Sequence, residues 1–283
     1  MLIDFHTHVF PPQIKKNRGK YIDNDPCFAI LYSKKEATLA TADELIASMD
    51  KDGVNMSVIV NIGWTTHELC VETNDYILES ISRYPDRLIG FCAVQPQSFE
   101  AAIAEIERCA QGGAKGVGEI RPDMQLFDLV DDEVMAPFTD VLRKHKLILL
   151  MHASEPVGHD YPGKGITTPE TLYPFITRYP DLTIVCAHWG GGLPFYALMP
   201  EVKQAMSNIF FDTAASPFLY SPQVYHQVIS LVGADKILFG SDYPLVAQSR
   251  LIKEIRSLDL AEEKENLILS GNAQRLLGIK GGP

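Results

Sequence analysis

The feature that most limits the fold of this chain is an alternation. Short apolar, β-branched runs recur along the whole sequence, each followed by a stretch with helical periodicity. Eight such runs occur, at residues 2–5, 56–62, 88–94, 116–120, 147–151, 182–187, 209–212 and 237–239, each short enough to be a strand buried on both faces. Between them, residues 41–51, 70–83, 99–110, 132–145, 169–178 and 221–232 carry apolar side chains three and four apart among charges, giving one face for a sheet and one for water. A βα unit repeated eight times predicts class α/β and a parallel sheet closed into a TIM barrel, as one domain over residues 1–283. An open doubly wound sheet is the rival, but no dinucleotide fingerprint follows the first strand. Arg83-Tyr84-Pro85-Asp86 and Arg178-Tyr179-Pro180-Asp181 nearly repeat each other ahead of the third and sixth strands, where proline stops a helix. Residues 9–40 hold three prolines and little helical pattern, so they read as a long first βα loop, a candidate lid.

In such a barrel the C-terminal strand ends converge on one mouth, and the ligand-type residues gather there. The first strand closes on His6-Thr7-His8, whose imidazoles, two residues apart, face the same way and can grip one cation. His152, His188 and Asp242 close three further runs, and the chain has only eight histidines, so scatter is a poor explanation. Glu119 ends the fourth strand, where a buried carboxylate needs a cation: either it joins a metal site or it pairs with Arg121. Asp242, beside a metal, can move a proton, and Arg121 suits a substrate carboxylate. Trp64 and Tyr243 are candidate pocket walls, and His159 is the one remaining histidine whose loop reaches the mouth. The glycines of His188-Trp189-Gly190-Gly191-Gly192 either admit an anion or make a tight turn. Gly158 to Lys164 imitates a phosphate loop, but Gly165 stands where Ser or Thr should bind magnesium and no helix follows at once.

Composition narrows the partners. Acidic residues outnumber basic ones 36 to 25, a balance of −11 that repels a phosphate backbone, so nucleic acid is not expected. No apolar run is long enough for a membrane span, and five cysteines without a CxxC pair read as reduced thiols in a soluble, cytoplasmic protein.

The strings DFHTH, GEIRP, MHAS, AHWGGGLP, FGSDYP and GNAQRLLGI resemble the amidohydrolase superfamily along essentially the whole chain, and specifically its amidohydrolase-2 branch, which includes aminocarboxymuconate semialdehyde decarboxylase. The resemblance implies a metal-dependent distorted barrel. It matches His6 and His8 to the first-strand ligand pair, His152 to the fifth-strand ligand, His188 to the sixth-strand histidine and Asp242 to the last-strand aspartate. In members with one ion the sixth-strand histidine either supports the metal ligands without binding the ion or acts as acid/base; in members with two it binds the second. Gly118-Glu119-Ile120 also matches TatD-like nucleases, whose glutamate binds metal, and this inclines the expectation to hydrolysis. One or two divalent ions, zinc with manganese as the substitute, would then activate water against the carbonyl of a small amide, ester or lactone. His188 would stabilise the oxyanion and Asp242 shuttle the proton. The alternatives are non-oxidative decarboxylation of a small unsaturated or aromatic acid, with His188 delivering a proton to carbon, and a barrel that binds metal or ligand without catalysis. A homodimer is expected by resemblance alone.

Overall fold

A computed structural model describes residues 1–279 and has eight parallel strands, each hydrogen-bonded to the next in sequence order. They are β1 (Ile3–His8), β2 (Met56–Val60), β3 (Leu88–Cys92), β4 (Gly116–Ile120), β5 (Ile148–Met151), β6 (Ile184–Cys186), β7 (Ile209–Asp212) and β8 (Ile237–Leu238). The ring closes through backbone bonds from the chain around β8 to β1. Phe5 N–H donates to the Phe239 carbonyl at 2.7 Å, Asp242 N–H to the His6 carbonyl at 2.9 Å, and His8 N–H to the Tyr243 carbonyl at 2.7 Å. The expected (β/α)8 barrel is the fold.

Its lumen is filled by Ile3, Phe5, Val58, Val60, Phe91, Ile148, Leu150, Val185, Phe210 and Leu238. Phe5 meets Phe91, two strands away, edge to face at 5.7 Å, and the helix Asn272–Leu277 lays Ala273 and Leu276 against the same cluster. Alternate residues, such as Leu149 and Ile184, pack outward on the helices. The strict alternation breaks twice. Between Asp4 and Thr7, β1 advances three residues while β2 advances two, and between Val117 and Ile120, β4 does the same against β5. One extra residue turns everything after it to the other face. Thus Phe5 fills the lumen and its neighbour His6 also looks inward, while Val117 and Ile120 both face the outer core and leave Glu119 for the mouth.

The helices obey local rules. Thr41 opens Ala42–Asp52 with a capping box, Thr41 N–H donating to Glu44 Oε2 at 2.8 Å, and left-handed Gly53 ends it. Tyr84 and Tyr179 of the near-repeat adopt almost the same conformation, φ −126° and −121°, ending His67–Arg83 and Pro169–Arg178.

Residues 9–40 differ from the irregular loop expected. They form helices Pro12–Lys16, Arg18–Asn24 and Pro26–Tyr32. Pro12 and Pro26 start helices rather than break them, because the N–H that proline lacks has no partner in a first turn. Asp25 caps the third helix by accepting from Phe28 N–H at 2.7 Å. Helices of five to seven residues are too short for periodicity to register; the Phe10, Ile14, Tyr21, Phe28 and Tyr32 cluster holds them. No helix among the described residues is long and apolar enough to cross a membrane, and all five cysteines are buried and free.

Candidate active site

His6 and His8 bring their Nε2 atoms 3.0 Å apart at the mouth. Asp242 Oδ1 lies 3.1 Å from His8 Nε2 and 4.0 Å from His6 Nε2, and Glu119 Oε2 lies 3.8 and 3.9 Å from the same two atoms. Donors around one cation at about 2.0–2.2 Å stand roughly 3–4 Å from one another, so His6, His8 and Glu119 fit a single ion, with Asp242 against His8 beside them. Glu119 turns its other oxygen, Oε1, to His152 Nδ1 at 2.8 Å and His188 Nε2 at 3.4 Å, forming a second group of the same dimensions. His152 Nε2 meets Ser154 Oγ at 3.1 Å. The alternative pairing of Glu119 with Arg121 does not occur, since Arg121 pairs with Asp123 at 3.2 Å.

Sequence reasoning overlooked Asp212, fully buried at the end of β7. Its Oδ2 accepts from His6 Nδ1 at 2.8 Å, and its Oδ1 accepts from the backbone N–H groups of His188 at 2.9 Å and Ala214 at 3.1 Å. By taking Nδ1–H it fixes the tautomer that offers His6 Nε2 to the mouth. The available signal was a carboxylate closing an apolar run, as Asp242 follows another, but no motif surrounds it. Asp4 was overlooked too. It accepts from Ser241 Oγ at 2.6 Å and Gln248 Nε2 at 2.7 Å, tying β1 to the turn that carries Asp242. Burial lifts the Asp4 pKa to about 6 against those bonds.

The charges explain what the mouth lacks. Burial disfavours a proton on His6, but Asp212, with Glu119 and Asp242 behind it, outweighs that and lifts its pKa to about 10. Burial likewise opposes His188, and Glu119, Asp242 and Asp212 raise it to about 9. Burial would raise Asp242, yet His8, His6 and His188 hold it down at about 2, and Glu119 is held well below its usual range by His152, His188 and His6. Three buried carboxylates thus demand positive charge. Protons on histidine can meet that demand, and a divalent cation between the same converging nitrogens and oxygens meets it better, so the donor set fits a metal.

A cavity of about 480 Å³ opens above this cluster. Leu31, Tyr32, Ile62, Phe218, Leu219 and Leu245 supply apolar wall, and Arg121 and His159 join the site residues as polar lining. Tyr32 and Leu31 come from the third short helix, so the first βα segment roofs the mouth. Two expected wall residues lie elsewhere. Trp64 is fully buried against Phe10 and stacked on Phe28 at 5.3 Å, with Nε1–H donating to Asn61 Oδ1 at 3.0 Å; its size suited the roof's core better than a wet wall. Tyr243 reaches along the helix Ala42–Asp52, its hydroxyl 3.4 Å from the Glu44 carbonyl, because the bridge between Thr7 and Tyr243 turns it outward, leaving Pro244 and Leu245 in the wall.

His188 to Gly192 make a tight left-handed turn, every φ between 56° and 91°. A Cβ on Gly191 would sit 2.2 Å from the Ser154 carbonyl oxygen, so glycine is required by close packing. Lys164 donates to the carbonyls of Val157, Gly158 and His159 at 3.1–3.3 Å, which leaves no phosphate cradle.

Known proteins agree on a family and correct one expectation. A 2-amino-3-carboxymuconate-6-semialdehyde decarboxylase from Dictyostelium discoideum is 25% identical over 332 residues, covering 98% of this chain and 91% of that one. A gamma-resorcylate decarboxylase from a Polaromonas species is 24% identical over 286 residues, covering 84% and 87%. Among solved structures, 5-carboxyvanillate decarboxylase from Novosphingobium aromaticivorans, complexed with manganese and 4-hydroxy-3-methoxy-5-nitrobenzoic acid, superposes with a TM-score of 0.82 at 20% identity, covering 99% and 96%. These relatives are decarboxylases, which overturns the expectation of carbonyl hydrolysis drawn from Gly118-Glu119-Ile120, and zinc finds no specific support beside the manganese of the carboxyvanillate enzyme. The family model described as Amidohydrolase matches residues 3–279, and the chain belongs to that family.

Proposed function

We propose that this protein is a metal-dependent, non-oxidative decarboxylase of a small aromatic or unsaturated carboxylic acid. The observation that carries the reading is that the relatives aligned along 84% or more of the chain are decarboxylases. The site supports it with a cluster of histidines and carboxylates beneath an apolar cavity of a size for one ring or short conjugated chain. His6, His8 and Asp242 would hold a divalent cation, manganese by analogy with the carboxyvanillate enzyme, with Glu119 and His152 completing the set. When bound, the ion supplies positive charge that holds substrate oxygens and stabilises charge collecting there as the carboxylate departs.

The chain's own groups do the rest. The bond between the substrate carbon and its carboxylate breaks, carbon dioxide leaves, and the electron pair stays on the carbon. His188 gives that carbon a proton from Nε2. Its Nδ1–H donates to the Ala214 carbonyl at 3.1 Å, which fixes the ring and turns Nε2 to the mouth as the atom that carries the proton to be delivered. Asp242, with a pKa of about 2, stays anionic and belongs to the cation. Leu31, Tyr32 and Phe218 keep water from the reacting carbon.

The test is carbon dioxide release by manganese-loaded protein from 2,6-dihydroxybenzoate, 5-carboxyvanillate and carboxymuconate-type acids, run in deuterated water beside esters, amides and lactones. Release from at least one acid, with one solvent deuteron on the product carbon, is expected. Cleavage of a neutral carbonyl compound without release from any acid would overturn the reading.

A further inference from the structure

Ser154 lies just past the end of β5 and is fully buried. Its backbone N–H donates to the Thr167 carbonyl at 2.8 Å and its Oγ accepts from Gly165 N–H at 2.9 Å, so it forms the neck of the loop 155–166. The body of that loop is bonded to itself: Lys164 Nζ reaches the Val157, Gly158 and His159 carbonyls, and the Tyr161 hydroxyl donates to Glu155 Oε2 at 2.9 Å. A loop whose ends meet and whose body packs on itself is a unit hung on its neck. His159, Tyr161 and Gly163 wall the cavity, and Arg121 Nη2 donates to the Gly163 carbonyl at 2.8 Å, while Val157 and Ile166 lie in solvent.

The same Oγ stands 3.1 Å from His152 Nε2, and the other nitrogen of that ring, Nδ1, faces Glu119 Oε1 at 2.8 Å. The neck of the cavity loop is thus fastened to the ring of a metal-site histidine. A hydroxyl has one proton and two lone pairs. With Gly165 N–H on one lone pair, Oγ can give its proton to Nε2 while Nδ1–H donates to Glu119. It can equally take a proton from Nε2 when Nδ1 offers its lone pair to a cation. Alanine could do neither.

We propose that Ser154 is a positioning residue that couples the loop 155–166 to the metal centre: the docked Gly165 N–H fixes the Oγ that holds the His152 ring with Nδ1 at the cluster, so a bound divalent cation and a closed cavity wall favour each other. The coupling is reciprocal, and whatever factor loop closure adds to cation affinity, the cation adds to closure. The wall over the reacting carbon is then shut most firmly when the ion is in place. The inference takes the role of His152 from the metal-dependent reading, and its test reads metal binding and proteolysis without turnover.

The experiment follows tryptic cleavage of the Lys164–Gly165 bond in the full chain by mass spectrometry, with and without saturating manganese, beside calorimetric manganese titration. It uses the wild type, Ser154→Ala and Ser154→Thr. Trypsin cuts there only when the loop opens, so the rate tracks the open population. Manganese should slow the wild-type cut about fivefold or more, within the usual range of coupling between two sites. Ser154→Ala should bind manganese about 10- to 100-fold more weakly and lose the protection even when saturated, whereas Ser154→Thr, which keeps the hydroxyl, should keep both. Wild-type cleavage unchanged by bound manganese would overturn the proposal whether or not a variant folds, as would full protection surviving in Ser154→Ala. A wild type that binds no manganese would overturn the metal-dependent reading, and this inference with it.

Discussion

The floor and the mouth of the barrel lumen are built from the same eight strands by opposite rules. On the floor, Phe5, Val60, Leu150 and Phe210 meet only apolar neighbours, and what matters is volume. At the mouth, one or two residues further along the chain from Phe5, Leu150 and Phe210, His6, His152 and Asp212 each engage a charged or polar partner, and what matters is charge and direction. The floor should therefore yield stability without function when damaged, and the mouth function without stability.

The sharpest break in that comparison is His188→Asn. Losing the proton donor should lower kcat by about 10²–10⁴ while manganese content and melting temperature hold, read by carbon dioxide release and elemental analysis. An unchanged rate would remove His188 from proton delivery. On the floor, Leu150→Ala should cost about 2–5 kcal/mol in a denaturant titration and leave the manganese per folded chain unchanged. Metal loss in that variant would show that the two halves are not separable.

Asp212→Asn tests the least visible member of the mouth. It should weaken manganese binding about 10- to 100-fold by releasing the His6 ring. Normal affinity would make the 2.8 Å contact with His6 Nδ1 incidental. The smallest effect follows from pH. His6 keeps its proton up to about pH 10 without metal, and an ion must displace that proton, so affinity rises with pH below that value. Between pH 6 and 8, manganese affinity should climb about tenfold per unit, and a flat profile would mean that the ion does not displace the His6 proton.

The strands and most of the surrounding helices were legible because burial on both faces writes apolar runs and one-sided burial writes a stripe. Residues 116–120, 132–145, 169–178 and 209–212 coincide with the elements observed. The histidines were legible because His6, His8, His152 and His188 stand where runs stop. Asp212 was hidden by its apolar run, and Glu119's partner could not be chosen from spacing, because alternation puts Arg121 on its side while the fold sends Arg121 to Asp123 and Gly163. The two bulges were equally invisible. Nothing in Asp4-Phe5-His6-Thr7 announces an extra residue, yet without it His6 and Phe5 would face opposite ways. The roof helices escaped notice because tertiary packing, not periodicity, forms them.

The most direct test of the account is manganese content per chain after loading and exhaustive dialysis, for wild type and for His6→Ala. The account predicts at least one equivalent retained by the wild type and none by the variant, with the two chains melting alike in the absence of metal. A wild type that retains no manganese and takes up no other divalent ion, or a variant that binds as well as the wild type, would contradict it.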